Sequence, residues 1–408
     1  MTARVDSPYA AFRLLVTLVL MTIGASAMYV VPVVLPVVQA EFGVARADAS
    51  MPYSMLMLGM GVGGVVMGRL ADRHGVMLPL IVGSVCIAAG YVGAGLTDSI
   101  HVFNILHGVV LGLFGISATF GPLMADTSHW WEKRRGIAVA VCASGNYLGG
   151  AIWPPILQHM VETVGWRQGY IGMGIFCGVT MTALALLLHK RPPEAHATVA
   201  NGLARPLPER PFGLSPSAAQ ALLMLAGLSC CVAMSMPQVH IVAYCGDLGY
   251  GAARGAEMLS VMLACGIVSR LASGWICDHI GGLKTLLLGA FLQMVALFLF
   301  LPFDGLVPLY VISGLFGLFQ GGIVPSYAII VREHFPAREA GTRVGAVIMC
   351  TLLGMALGGW MSGWVFDLTG SYRAAFFNGI AWNVLTLVIA GFLLYGDRRS
   401  GGARMSPA

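Results

Sequence analysis

The chain has 408 residues, of which 57% are hydrophobic and only 10% are charged. Soluble domains carry about 25% charged residues, so the composition excludes an ordinary soluble protein and indicates that lipid covers much of the surface. The formal net charge of +5 is small, and the sequence has no basic stripe with interleaved aromatic residues, which argues against nucleic acid as a partner.

Twelve apolar stretches are long enough to cross a membrane, because a spanning helix needs about 20 mainly apolar residues. In chain order, the predicted helices 1 to 6 cover 12–37, 51–71, 77–97, 102–125, 136–160 and 167–189. Helices 7 to 12 are predicted at 217–245, 252–277, 284–302, 307–332, 342–366 and 372–395. The sequence therefore predicts an all-α integral membrane protein with six-helix bundles at 1–189 and 217–396, a linker at 190–216 and a tail at 397–408.

The basic residues are unequally divided between the two ends of these helices. Of the 23 Lys and Arg residues, most fall in segments that share one side of the membrane with the N-terminus. Those on the other side are Arg46, Arg167, Arg254 and Arg373. By the positive-inside rule this skew predicts cytoplasmic N- and C-termini, in a multi-pass protein of a bacterial inner membrane.

The two halves of the sequence repeat each other. Gly-Arg-Leu-Ala-Asp-Arg-His-Gly begins at Gly68 and Gly-Trp-Ile-Cys-Asp-His-Ile-Gly begins at Gly274, so that Asp72 and Asp278 lie 206 positions apart. A second pair of motifs, around Gly165 and Gly370, lies 205 positions apart. Two matches at nearly one offset predict two pseudo-symmetric halves.

The first of these motifs is similar to the loop between helices 2 and 3 of the major facilitator superfamily. Val76 and Met77 stand where the family pattern usually ends in two basic residues. Parallel six-helix repeats with the substrate site between them are typical of that superfamily. The resemblance implies a secondary transporter that works by alternating access, and not an enzyme.

A narrower resemblance is to the monocarboxylate transporter and oxalate/formate antiporter group. It is carried by Trp-Trp-Glu-Lys-Arg-Arg-Gly-Ile-Ala-Val-Ala-Val-Cys-Ala-Ser-Gly from Trp130, with Pro122 before it and Val-Gly-Trp-Arg after it. In helix 8, Arg270, Gly274 and Asp278 resemble the group's R-x-x-x-G-x-x-x-D arrangement. This likeness implies a small organic anion as substrate.

Arg270 is the strongest candidate for a substrate ligand. Asp278 marks the inner end of helix 8, and Arg270 lies eight residues before it in the sequence. This spacing places Arg270 about 12 Å into the bilayer. A cation at that depth is costly unless it faces water or an anion. The functional interpretation is that its guanidinium binds a carboxylate through two parallel hydrogen bonds. The alternative is a structural arginine bonded to helix-end carbonyls.

Other polar residues near mid-membrane could complete a site. Tyr29, Asn146, Gln320 and His240 could line a cavity and donate to a carboxylate, and His240 and His107 could carry a proton. The alternative for the amides and the tyrosine is hydrogen bonding between helices, and for each histidine a bond to one backbone carbonyl.

Five charged residues at inner helix ends are candidate gating residues. The resemblance implies that Asp72 and Asp278 hold the inner face closed through a helix N-terminus or a basic residue of the opposite half. Arg73 belongs to the same motif as Asp72, and Arg135 and Arg343 begin helices 5 and 11. The alternative is that these are solvated loop charges.

The sequence therefore predicts a transporter of small monocarboxylates with proton symport; the alternative is an antiporter that exchanges dicarboxylates or other anions. One intramembrane cation matches one substrate charge. Many animal members of the group have an acid one turn before the helix 8 arginine, whereas this chain has Gly266, which leaves the proton route open. The expected partners are the carboxylate, a proton and the bilayer, with no cofactor or metal, and a monomer is expected.

Overall fold

The computed structural model describes residues 5–190 and 211–402, and all regular structure in these ranges is helical. Twelve helices there are long and apolar enough to cross a membrane, which confirms the predicted fold class. Most of the predicted linker, 191–210, and the end of the tail, 403–408, lie outside the described residues. The division into two bundles and a linker stays a prediction.

The observed helices begin and end close to the predicted spans, and most are longer. Helices 1 to 6 cover Pro8–Phe42, Arg46–His74, Met77–Leu96, Ile100–His129, Arg135–Thr163 and Trp166–Leu186. Helices 7 to 10 cover Pro216–Asp247, Ala252–Ile280, Gly282–Leu299 and Leu306–His334. Helices 11 and 12 cover Ala337–Thr369 and Tyr372–Gly402. Below, the N-half is helices 1 to 6 and the C-half is helices 7 to 12.

Glycines allow the helices of the N-half to touch backbone to backbone. A Cβ added at Gly59 of helix 2 would lie 1.9 Å from the Gly108 carbonyl oxygen, and one at Gly63 would lie 2.0 Å from that of Leu113. Both carbonyls belong to a π-helical stretch of helix 4, Leu106–Ile116. Small residues are the usual means of close helix packing in membranes, and this packing accounts for Gly59 and Gly63.

The two ends of the molecule are named by the helix ends that they carry. The outer face carries Arg46, Thr163, Asp247 and Thr369, and the inner face carries His74, Arg135, Ile280 and His334.

Helices 2 and 11 form one seam between the halves, and this seam is closed only toward the outer face. A Cβ at Gly363 would lie 2.9 Å from the Ala47 backbone, and one at Gly61 would lie 2.7 Å from Met349 Sδ. Closer to the inner face, a Cβ would meet no atom of the described residues within 4 Å at Gly64, Gly68, Gly341 and Gly345.

Helices 5 and 8 form the second seam, with the same pattern. A Cβ at Gly150 would lie 2.2 Å from Leu263 Cδ1, and one at Gly266 would lie 2.4 Å from Tyr147 Cε1. Nearer the inner face, open space surrounds Gly136 and Gly274. Across the described residues the halves thus meet at the outer face and separate toward the inner face, so this conformation is open at the inner face.

Candidate functional site

Arg270 lies at the point where the helix 5–helix 8 seam opens. Its Nη1 donates to the Ala143 carbonyl oxygen at 3.2 Å, and its Cζ lies 4.4 Å from the centre of the Tyr147 ring. The side chain is half-buried, and its Nε is buried without a hydrogen-bond partner among the described residues. Within residues 5–190 and 211–402, Arg270 forms no ion pair with a carboxylate. It is therefore a cation with unused donors.

Tyr29 and Asn146 lie beside this arginine. The Tyr29 hydroxyl donates to Asn146 Oδ1 at 3.1 Å, and a Cβ at Gly150 would lie 2.7 Å from Tyr29 Cζ. Tyr29 and Arg270 are near enough to interact electrostatically. Helix 5 thus presents Asn146 to helix 1 and the next residue, Tyr147, to helix 8. Three of the predicted site residues come together here.

Two further tyrosines belong to this group, and the sequence analysis did not find them. Tyr147 lies under the guanidinium, and Tyr53 of helix 2 lies near Tyr29 and Tyr147. The Tyr53 hydroxyl is buried without a hydrogen-bond partner. The sequence signal for Tyr147 was its position directly after Asn146 in the middle of helix 5; Tyr53 had no comparable signal.

Gln320 lies behind helix 8, inside the C-half. Its Oε1 accepts from Gln238 Nε2 of helix 7 at 2.9 Å, whereas its own Nε2 is buried without a partner. The next residue, Gly321, packs so closely on helix 8 that a Cβ would lie 2.4 Å from the Gly266 carbonyl oxygen. Gln320 therefore links helix 10 to helix 7 inside the C-half.

His107 is enclosed within the N-half. Its Nδ1 bonds to the Phe103 carbonyl oxygen at 2.8 Å and its Nε2 to the Tyr170 hydroxyl at 3.3 Å. Since a carbonyl only accepts, Nδ1 carries the proton and Nε2 accepts from the tyrosine. The ring is fully buried, and both nitrogens are used within the N-half.

His240 belongs to a group at the outer face that we call the outer latch: Arg46, His240, Asp247, Asp367 and Tyr372. His240 Nε2 bonds to the Gly359 carbonyl oxygen at 2.8 Å, and Nδ1 bonds to the Tyr372 hydroxyl at 3.1 Å. The carbonyl requires a proton on Nε2, so in the neutral ring the tyrosine donates to Nδ1. None of these bonds involves Arg270, Tyr29 or Asn146.

Arg46 is the N-half member of the outer latch. Its guanidinium donates to both Asp247 oxygens at 3.0 and 3.2 Å and to the Tyr372 hydroxyl at 2.7 Å. It also lies over the Phe366 ring, with Cζ 4.5 Å from the ring centre. Asp367 accepts the backbone N–H groups of Arg46 and Ala47 at 2.9 and 2.8 Å. An acid of the C-half thus caps the first turn of helix 2, where the helix dipole favours negative charge.

Comparison with known proteins shows which family the chain belongs to. The family model of the Major Facilitator Superfamily matches residues 16–314. The chain belongs to this superfamily. Similar proteins include monocarboxylate transporter 13 of Bos taurus, which is 28% identical over 86% of this chain and 78% of that protein. MFS-type transporter 1 of Ophiocordyceps sp. (strain BCC 1869) is 26% identical over 69% of this chain and 62% of that protein.

Solved structures of the superfamily share the fold. The crystal structure of a bacterial homolog to the human lysosomal transporter Spinster, in an inward-facing and unoccupied conformation, aligns with a TM-score of 0.74. It covers 99% of this chain and 100% of that chain at 15% identity, which is a likeness of fold alone. By its family, this superfamily member is a membrane transporter and not an enzyme, as predicted.

Among the described residues, no hydrogen bond or ion pair links a predicted gating residue of this superfamily member to the opposite half. Asp72, Arg73, Asp278 and Arg135 are exposed at the inner face. Arg343 pairs with Glu339 of its own helix at 2.9 Å and lies over the Phe335 ring. Because the inner face is open, a latch that closes it would be broken in this conformation. Their gating role stays a prediction.

Proposed function

We propose that this transporter carries small organic monocarboxylates by alternating access and binds the carboxylate at Arg270. The observation that carries the proposal is the half-buried guanidinium of Arg270, whose Nε has no hydrogen-bond partner and which has no acid partner among the described residues. A planar guanidinium matches a carboxylate with two parallel hydrogen bonds. The name of the bovine relative supports the same substrate class.

Charge balance supports a substrate with one negative charge. A lone cation inside the membrane is costly, and an anionic substrate removes that cost. Tyr29 and Asn146 lie close enough to contact the rest of a small substrate, since they are hydrogen-bonded to each other and Tyr29 lies near the arginine. We further propose that the chain lies in a bacterial inner membrane with both termini and the inner face in the cytoplasm. The open inner face then supports an inward-open resting conformation.

We propose proton symport as the coupling. Both nitrogens of His107 are bonded inside the N-half, so that ring is the weaker carrier. His240 bonds to the hydroxyl that Arg46 contacts across the halves, so a proton on His240 would act on the outer latch. The substrate acid itself is the other proposed carrier.

Anion exchange is the second candidate, and the lone charge of Arg270 favours it. The empty carrier would have to close around an unneutralised cation, whereas the loaded carrier is neutral at this site. If the empty carrier therefore returns across the membrane more slowly than the loaded carrier, exchange is faster than net uptake. Acid loaded inside the vesicles then speeds uptake of labelled acid more than an inward-directed proton gradient does; the reverse result identifies symport.

The substrate proposal is tested in proteoliposomes with radiolabelled acetate, L-lactate, pyruvate and benzoate. Arg270→Ala is expected to abolish saturable uptake, and Arg270→Lys to raise KM by about 5–30-fold, the effect of losing about 1–2 kcal/mol. Arg254→Lys is the matched control, because Arg254 is on the same helix but exposed and paired with Glu257. Uptake by Arg270→Ala with wild-type KM, or no uptake of any of these acids by the wild type, would overturn the proposal.

A further inference from the structure

The ring of Tyr147 occupies a slot that exists only because residue 266 is glycine. A Cβ at Gly266 would lie 2.4 Å from Tyr147 Cε1 and 2.5 Å from Cδ1, so any larger residue would push the ring away. Tyr147 is 7% exposed. Helix 5 therefore reaches helix 8 through this aromatic side chain.

Arg270 lies one turn after Gly266 on helix 8, so the two residues share a helix face. Its Cζ lies 4.4 Å from the centre of the Tyr147 ring, a distance at which a cation is attracted to the face of the ring. Its Nη1 donates to the carbonyl of Ala143, which lies one turn before Tyr147 on helix 5. Two successive turns of helix 5 thus hold one face and one nitrogen of the guanidinium.

The remaining edge of the guanidinium carries Nε and Nη2. Nε is buried without a partner, and Nη2 makes no hydrogen bond to a described residue. These two nitrogens point in parallel from one side of the fork and suit the two oxygens of a carboxylate. Because the other edge and one face are already engaged, the orientation of this free edge depends on the Tyr147 ring.

We infer that Tyr147 is a positioning residue for the substrate carboxylate: its ring, seated in the slot at Gly266, fixes the free edge of Arg270. This inference rests on the proposed function of Arg270. The ring contacts the face of the guanidinium and leaves its positive charge intact. The carboxylate then meets an arginine that is already oriented but not neutralised.

The kinetic test compares Tyr147→Phe with Tyr147→Leu in proteoliposomes, using the acid among acetate, L-lactate, pyruvate and benzoate that the wild type takes up. Phenylalanine keeps the aromatic face, so KM should stay within about twofold of wild type. Leucine fills space without that face, so KM should rise by about 5–30-fold with a smaller change in Vmax. Equal KM values for the two variants would overturn the inference.

Glycine variants test the slot. Gly266→Ala should raise KM as Tyr147→Leu does, because the added methyl group displaces the ring. Gly391→Ala in helix 12 is the matched control, since its Cβ would meet no atom of the described residues within 4 Å. An unchanged KM in Gly266→Ala would contradict the slot. Unfolding temperatures in detergent show whether each variant is folded.

A spectroscopic measurement tests the ring–cation contact without any substrate. In protein labelled with isotopic arginine, the Nε–H resonance of Arg270 is assigned by its loss in Arg270→Lys. The ring current should displace this resonance in the wild type and in Tyr147→Phe but not in Tyr147→Leu. A resonance that is the same in all three overturns the inference, whereas wild-type transport by Arg270→Ala overturns the proposed function instead.

Discussion

The contacts of the outer latch predict that a single acid, Asp367, affects the balance between the state open at the outer face and the state open at the inner face. Asp367 accepts two backbone N–H groups at the first turn of helix 2, and these contacts exist only while the halves meet at the outer face. Asp367→Asn keeps the shape of the side chain but removes its charge. The outer face should therefore open more often, and the inner face should close more often.

The size of the shift follows from the hydrogen bonds. A hydrogen bond to a charged group contributes about 1.5–3 kcal/mol and a neutral one about 0.5–1.5 kcal/mol. The asparagine oxygen keeps part of this interaction, and because Asp367 is exposed, solvent screens part of the charge. A net loss of about 1–2 kcal/mol remains, which changes the ratio of the two states by about 5–30-fold.

Amide hydrogen exchange measured by mass spectrometry would detect this shift. In Asp367→Asn, the peptide that begins helix 2 should exchange about 5–30 times faster, and the inner ends of helices 2 and 11 should exchange more slowly. Asp98→Asn is the matched control, because Asp98 pairs with Arg167 at the outer face within the N-half. Unchanged exchange at helix 2 would refute the latch, and faster exchange there without protection at the inner ends would mean local fraying.

Two further predictions concern the inner face. Asp72→Asn and Asp278→Asn should each slow the transport cycle while substrate still binds, because each removes a contact of the inner-closed state. Distances between spin labels on helices 5 and 11 would measure the effect. Unchanged distances in both variants would mean that these acids are loop charges. Asp126→Ala should lower the free energy of unfolding by about 3–5 kcal/mol, because it leaves Arg13 buried without the carboxylate that it contacts at 2.6 Å. The same change at the exposed Asp98 should have little effect. Equal unfolding temperatures for the two variants would refute this reasoning.

Hydropathy was sufficient to predict the twelve spans, because each spanning helix must satisfy its own backbone and present apolar side chains to lipid. Helix ends were predicted less well. Helix 2 was expected to begin at residue 51, yet it begins at Arg46, so the arginine of the outer latch was treated as a loop charge. Charged residues continue a helix into the interface, and a hydropathy window stops before them.

Depth in the membrane identified part of the candidate site. Arg270, Tyr29 and Asn146 were chosen as polar residues near mid-membrane, and the structure brings these three together. His240 was chosen by the same rule, but its partners, Gly359 and Tyr372, lie more than a hundred residues later in the chain. Depth says how far along a helix a side chain lies, whereas the face that it occupies depends on packing that a single sequence does not specify.

The outer latch also reflects unequal divergence of the two halves. At the repeat offset of 206, Asp247 corresponds to Glu41 and Tyr372 corresponds to Trp166, but Arg46 corresponds to Ala252. In the N-half the acid accepts from Trp166 and from an arginine of its own half, whereas in the C-half the acid takes its arginine from the other half. Two identical halves would supply either two such arginines or none. A latch with a single arginine therefore requires a broken symmetry, and the opposing conformations of this carrier need not be equal in energy.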